Sequence, residues 1–148
     1  QTRLTTGNLE NDNPSWSADG TRIAFDTINP TGRIIQIMAA NGTAITDLTG
    51  PGSDNFDPAI SPDGQRIAFV SNRDGSYDLY LMNVNGTNVT RLTNIPQSVA
   101  GPSWSRDGQY IVFYTSDPSP LEVYRVRVDG SDLRNLTNSP NNDIEPSW

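Results

Sequence analysis

Ser61-Pro62-Asp63-Gly64-Gln65-Arg66-Ile67-Ala68-Phe69-Val70 is the stretch that decides the fold. Ser-Pro-Asp-Gly reads as a tight turn: proline presets φ at the second position, the Asp carboxylate accepts nearby backbone N–H groups, and glycine tolerates positive φ. The apolar run that follows is only five or six residues long, which suits a strand and not a helix. The same turn and run stand 44 residues earlier as Asp19-Gly20 with Ile23-Ala24-Phe25, and 44 residues later as Asp107-Gly108 with Ile111-Val112-Phe113.

Working outward, one 44-residue step relates Pro14, Pro58, Pro102 and Pro146, then Gly42, Gly86 and Gly130, then Leu4, Leu48, Leu92 and Leu136. In the second unit, Asn72 to Ser76 breaks the pattern and Asp78-Leu79-Tyr80-Leu81-Met82 reads as a third strand. Asn85-Gly86 then turns the chain into a fourth, Val89-Thr90-Arg91-Leu92-Thr93. Each unit is therefore four short strands in up-and-down order, joined by hairpin turn chemistry. The second strand is apolar on both sides although its sheet must be antiparallel, so other sheets have to cover both faces. Four-stranded sheets packed face to face at this period make a β-propeller.

The expected architecture is all-β: a β-propeller of four-stranded antiparallel blades with a 44-residue period, three blades to the chain. The blades occupy residues 14–50, 58–94 and 102–138, with an outer strand of a preceding blade at 1–6 and an inner strand of a following blade at 145–148. Propellers close with about 4 to 8 blades. Three blades are then half of a six-bladed ring closed by a second copy, part of a longer propeller, or the unit of an open assembly. An open wedge would expose apolar sheet faces to water.

All ten basic residues among the 148 are Arg, and the chain has no Lys, His or Cys; with seventeen acidic residues the formal charge is −7. Nucleic-acid backbones and anionic membranes need clustered positive charge, so neither is an expected partner. Without His or Cys, the usual zinc sites and the common nucleophile–base pairs cannot be built from one chain. No apolar run approaches the roughly 20 residues that span a bilayer. No charged-then-apolar leader stands at the front, which fits a mature chain or a piece of a longer one.

At these motifs the chain resembles the propeller repeats of the TolB family, the periplasmic component of the Tol–Pal system. Ser61-Pro62-Asp63-Gly64, Ile67-Ala68-Phe69, Ser71-Asn72-Arg73-Asp74-Gly75, Asp78-Leu79-Tyr80, Asn85-Gly86 and Arg91-Leu92-Thr93 carry the match. The likeness runs from Arg3 to Trp148. The first unit departs from it with Gln36 in place of Tyr80 and Tyr124. Similar repeats build accessory propellers of prolyl-oligopeptidase-type and tricorn-type peptidases, so the pattern specifies fold more than function. The resemblance implies a periplasmic or extracellular location. It also implies a protein partner docked across the loop-bearing mouth, as Pal docks on TolB.

In a propeller the links 6–13, 50–57, 94–101 and 138–145 open on one face, together with 28–32, 72–76 and 116–120. These segments differ most between units, as recognition loops do. Asn13, Asp57, Gly101 and Glu145 occupy one equivalent position immediately before the strand lining the channel. Asn13, Asp54, Asp57, Arg73, Asp74, Asp143 and Glu145 are the candidate partner-binding residues, and they make an acidic mouth suited to a basic peptide. No cofactor is called for; Ca²⁺ on Asp57 and Glu145 is the one cation that oxygen-rich ligands would suit. The plainer readings are a solvated acidic rim, a turn at Asp74-Gly75 and a strand start at Asp78. Trp16, Trp104 and Trp148 share a repeat phase with Ile60 and read as core between blades, not as a sugar platform.

The function expected from these features is a non-catalytic scaffold that binds a protein or peptide. The alternatives are an accessory propeller of a peptidase, whose Ser-His-Asp set would lie elsewhere, and a structural self-assembling unit.

Overall fold

A computed structural model describes residues 2–5 and 7–148. Among the described residues there are twelve strands and no helix. They are β1 (Glu10–Trp16), β2 (Arg22–Asn29), β3 (Gly32–Ala39), β4 (Thr46–Asp47), β5 (Asn55–Ile60), β6 (Arg66–Ser71), β7 (Asp78–Asn83), β8 (Thr90–Arg91), β9 (Ser98–Trp104), β10 (Tyr110–Asp117), β11 (Val123–Arg127) and β12 (Arg134–Asn135). They form three four-stranded sheets, each ordered as in sequence: β1–β4, β5–β8 and β9–β12. Every pairing is antiparallel.

The Ser-x-Asp-Gly turn forms for the reason its residues suggest. Ser61 Oγ donates to Asp63 Oδ1 at 2.6 Å, the same carboxylate accepts the Gln65 N–H at 3.0 Å, and Gly64 sits at φ +68°. Ser17 with Asp19 and Ser105 with Asp107 repeat the arrangement at 2.6 Å each. These hydrogen bonds hold the Asp19 carboxyl down at about 2 and put Asp63 and Asp107 below the ordinary carboxylate range.

The second strand of each sheet is buried on both faces, as its composition requires. Ala24, Ile67, Ala68, Phe69, Ile111 and Phe113 are fully enclosed. One face of β6 packs with Ala24, Ile35 and Ile37 of the first sheet; the other joins Val99, Trp104, Phe113 and Val126 of the third. Burying each large side chain contributes about 2–3 kcal/mol. The sheets also meet through backbone: a Cβ on Gly86 would lie 2.8 Å from the Leu48 carbonyl oxygen, and one on Gly42 would lie 2.8 Å from that of Leu4. Glycine is required at both places, at φ +83° and in near contact with the preceding unit.

Three details differ from the sequence reading. The inner strands β1, β5 and β9 begin three or four residues ahead of Pro14, Pro58 and Pro102. Asn13, Asp57 and Gly101 therefore lie inside these strands, at a bulge. Asp12 pairs with Asp26 and Ser15 with Ala24, leaving Asn13-Pro14 opposite the single residue Phe25. Proline brings no N–H to the ladder, and the residue before it adopts positive φ: 50° at Asn13, 51° at Asp57, 60° at Gly101.

The outer strands β4, β8 and β12 shrink to two residues each, extended by single bonds such as Leu92 N to Leu79 O at 2.8 Å. Among the described residues, Arg3-Leu4-Thr5 and residues 145–148 belong to no strand. Gln1 and Thr6, which fall in the expected outer strand and in the first link, lie outside the described residues. Finally, only Trp104 is interblade core, at 8% exposure; Trp16 and Trp148 are 55% and 52% exposed.

Candidate functional site

Two cavities frame the hub. The larger, about 530 Å³, is lined by the repeated Pro14, Pro58 and Pro102 and their neighbours Trp16, Ile60 and Trp104. Its walls recur in every unit, as scaffold does. The second, about 320 Å³, is lined by Arg33, Asp54, Phe56, Tyr77, Ala100 and Ser116, so all three sheets contribute to it.

Around the second cavity the repeat is broken. Asp26 stands where the other units have Val70 and Tyr114; Arg33 where they have Tyr77 and Leu121; Phe56 where they have Asp12 and Ala100. Asp26 is fully buried in β2 and accepts Asn13 Nδ2 at 2.9 Å, the Asp57 N–H at 3.3 Å and Arg33 Nη1 at 3.4 Å. The Arg33 guanidinium also lies 3.6 Å from Asp12 and 5.7 Å from the Phe56 ring centroid. Phe56 meets Tyr77 edge to face at 5.4 Å. One cation thus bridges buried and half-exposed carboxylates while its flat side covers an aromatic wall.

The bulge residues join the sheets in series. At the second and third bulges the positive-φ residue is left out of its own ladder, and its N–H reaches back to the preceding sheet. Asp57 donates to Asp26, and Gly101 donates to Asp57 Oδ2 at 2.9 Å. Burial raises the carboxyls of Asp26 and Asp57 above their ordinary range, against the lowering effect of these hydrogen bonds and of Arg33. Tyr114, close enough to Gly101 that a Cβ there would meet its ring at 2.6 Å, is raised by burial and then by Asp57 and Glu145.

The residues singled out from sequence fall into separate groups. Asp54 lines the second cavity, while Asn13 and Asp57 meet at Asp26, which is paired with the Arg33 of that lining. Asp54 also holds the wall in place: its Oδ1 accepts the Arg33 N–H at 3.0 Å and its Oδ2 the Tyr77 hydroxyl at 3.2 Å. Its repeat mate Asn142 accepts the Leu121 N–H at 2.9 Å, so part of that role is architectural.

Arg73 and Asp74 sit apart from this group. The Arg73 guanidinium lies over Tyr80 at 4.9 Å and Phe69 at 5.2 Å, and Asp74 accepts the Tyr80 hydroxyl at 2.7 Å, raising it to about 12 with burial as the leading cause. Asp143 is half-buried, its N–H held by the Leu121 carbonyl at 2.8 Å, and Glu145 is exposed at φ +55°. Among the described residues no group of three or more Asp, Glu, His or Cys side chains gathers to hold a metal ion, and Asp57 Oδ2 is already engaged by Gly101.

Asp26, Arg33, Phe56 and Tyr77 are the site residues that sequence reasoning passed over. The signal was present: at the three repeat positions these residues occupy, the units disagree in charge or in aromatic character. The second cavity is accordingly lined by one arginine, one carboxylate and two rings.

A family model described as the TolB beta propeller domain matches residues 1–148. No curated protein matches the chain in sequence. Among solved structures, the chain is similar to the structure of putative TolB from Agrobacterium tumefaciens at 28% identity and TM-score 0.82, over 89% of this chain and 50% of that one. TolB from Acinetobacter baumannii is similar at 25% identity and TM-score 0.73, over 90% and 34%. A puromycin-hydrolyzing peptidase of Mycobacterium tuberculosis has TM-score 0.82 over 99% of this chain and 25% of its own, and at 16% identity shows the fold alone. The chain spans half, or about a third, of the length of these TolB proteins.

Proposed function

The chain belongs to the TolB β-propeller domain family, and from that premise we propose that it is a non-catalytic scaffold whose loop-bearing mouth binds a protein or peptide segment, in the periplasm or outside the cell. The observation that carries this reading is the broken repeat at Asp26, Arg33, Phe56 and Tyr77 around a cavity of about 320 Å³ to which three sheets contribute. Symmetric positions build the array; asymmetric ones that converge on a concave surface are where recognition is expected. Aromatic and arginine side chains at the centre with carboxylates at the rim match the composition of interface anchors. A chain without His or Cys lacks the usual parts of a hydrolytic nucleophile, which favours binding over catalysis. The extracytoplasmic location is supported by family resemblance; among the described residues no helix is long and apolar enough to cross a membrane.

The test is selection of peptides from a displayed library against the chain, followed by calorimetric titration. Phe56→Ala and Arg33→Gln are expected to weaken the selected peptides by roughly tenfold or more, as loss of central anchors does. Gln65→Ala, on an exposed turn of the second unit, should bind like wild type. Equal affinity for all three variants would remove the mouth as the binding site.

A further inference from the structure

The seam between the first two sheets carries a groove of about 310 Å³. The link that follows β4 supplies Leu48, Pro51 and Ser53 to it; the second unit supplies Arg73, from the turn after β6, and Val89, just ahead of β8. Every residue of this lining stands between positions 48 and 89, well inside the chain, and none of them lines the second cavity.

The apolar part of the groove repeats and the cation does not. Val89 has Ile45 and Leu133 as its mates, and Leu48 has Leu92, whereas at the position of Arg73 the other units place Asn29 and Asp117. Arg73 lies over the rings of Tyr80 and Phe69 at 4.9 and 5.2 Å. In the third unit the equivalent rings, Tyr124 and Phe113, stack at 5.8 Å with Asp117 at that place in the sequence. The fold of a unit therefore does not require the guanidinium.

The guanidinium is held in place and lacks a counter-charge. Its Nε donates to Ser71 Oγ at 3.1 Å and its Nη2 to Asn55 Oδ1 at 2.8 Å, both neutral acceptors. Among the described residues Nη1 has no hydrogen bond, and the ion pairs run from Arg33, Arg91, Arg125, Arg127 and Arg134, not from Arg73. The adjoining Asp74 is engaged elsewhere, its Oδ2 accepting the Tyr80 hydroxyl at 2.7 Å. Burial pulls Arg73 below the ordinary arginine range, with Tyr80 and Asp74 opposing, as happens to a charge whose lost hydration is not replaced. A guanidinium fixed on one edge keeps a second edge able to take a carboxylate through two parallel hydrogen bonds.

We propose that this groove binds an extended peptide segment of another protein through one Asp or Glu side chain, paired with Arg73, and an adjoining aliphatic side chain laid on Leu48, Pro51 and Val89. Local charge complementarity selects the acid. The formal charge of −7 repels a phosphate-bearing or polyacidic segment, so a single carboxylate beside an apolar residue is the fit. The volume stands at the lower end of the roughly 300–1,000 Å³ found for ligand sites, which gives room for about two side chains. The groove is separate from the mouth cavity, and the proposal stands or falls without that reading.

Nuclear magnetic resonance titration of the isotope-labelled 148-residue chain with capped tetrapeptides tests it. Acetylated and amidated Ser-Glu-Leu-Ser is expected to move the Leu48 and Val89 methyl signals and the Arg73 Nε–H signal, saturating in the millimolar range. Ser-Gln-Leu-Ser, equal in shape, is expected to bind roughly tenfold more weakly or worse. Arg73→Gln abolishes the preference for the Glu peptide, while Arg73→Lys keeps the charge without the fork and retains part of it. The Glu–Gln comparison uses the unaltered chain, so it holds even where a variant loosens the turn. Absence of saturable shifts at Leu48 and Val89, or shifts confined to Phe56 and Tyr77, would overturn the proposal. So would equal affinity for the two peptides, or a Glu preference that survives Arg73→Gln. Equally tight binding of Ser-Gln-Leu-Ser with a free carboxyl terminus would also overturn it, because a chain end would then be the group recognised.

Discussion

The indole N–H of Trp104 donates to the carbonyl oxygen of Ala59 at 2.9 Å, joining the third sheet to the second at the hub. Each sheet here depends on its neighbour for its buried face, so a bond of this kind ties together units that could not stand alone. Trp104→Ala should cost about 3–5 kcal/mol by leaving a cavity between sheets. Trp104→Phe keeps most of the area and loses the donor, so about 1 kcal/mol is expected. Urea denaturation of both variants measures the two values, and a Phe variant as stable as the wild type would remove the hydrogen bond from the account.

Gly86 and Gly130 share φ +83° but not their surroundings. A methyl group on Gly86 would approach the Leu48 carbonyl oxygen to 2.8 Å; on Gly130 the corresponding distance, to Leu92, is 3.7 Å. Both Ala variants carry backbone strain of about 1–2 kcal/mol. Gly86→Ala adds a steric clash, and the expected difference is about 1–3 kcal/mol. Thermal unfolding of the pair isolates the clash, because the strain is common to both.

Asp78 is fully buried and accepts Ser76 Oγ at 2.6 Å, Thr93 Oγ1 at 2.8 Å and Arg91 Nη2 at 2.5 Å, fastening β8 and the segment after it to β7. Glu122 repeats the device with the Thr137 hydroxyl and the Ser139 N–H. Asp78→Ala strips a half-buried arginine of its counter-charge, and a loss of about 3–5 kcal/mol is expected. Hydrogen exchange should show the Leu92 amide, bonded to the Leu79 carbonyl, losing protection first. Unchanged protection there would assign the outer strand's hold to other contacts.

Burial raises the Asp57 carboxyl, so its proton is held more tightly in the folded state than in the unfolded one. Its contribution to stability is full below the ordinary carboxylate range and is lost as pH rises through the folded value. At neutral pH the ionised group is a net cost. Asp57→Asn keeps an oxygen for the Gly101 N–H and tolerates φ +51°, so it should stabilise the fold at neutral pH and not once both states are protonated. Urea midpoints at neutral and strongly acid pH decide the matter, and a gain of the same size at both would exclude the linkage.

Much of the fold was legible because the chain states it repeatedly. Ser61-Pro62-Asp63-Gly64 and Ile67-Ala68-Phe69 encode a turn and a doubly covered strand locally, and two further copies remove accident. The site was less legible for the opposite reason. Asp26 and Arg33 look like ordinary strand residues until the third dimension sets one beside the other at 3.4 Å. Attention to Asp57 as a loop acid also missed that its backbone, held at positive φ inside β5, bonds to one sheet while its carboxylate accepts from another.

Sequence by itself determined the period, the strand count per unit, the turn chemistry and the family, since each is read from short local motifs and from their recurrence every 44 residues. Tertiary structure alone decided where the inner strands begin, which tryptophan is enclosed, and which departures from the repeat converge on one cavity. Those outcomes depend on what the neighbouring sheet places against a residue, and a neighbour 44 positions away is fixed by packing.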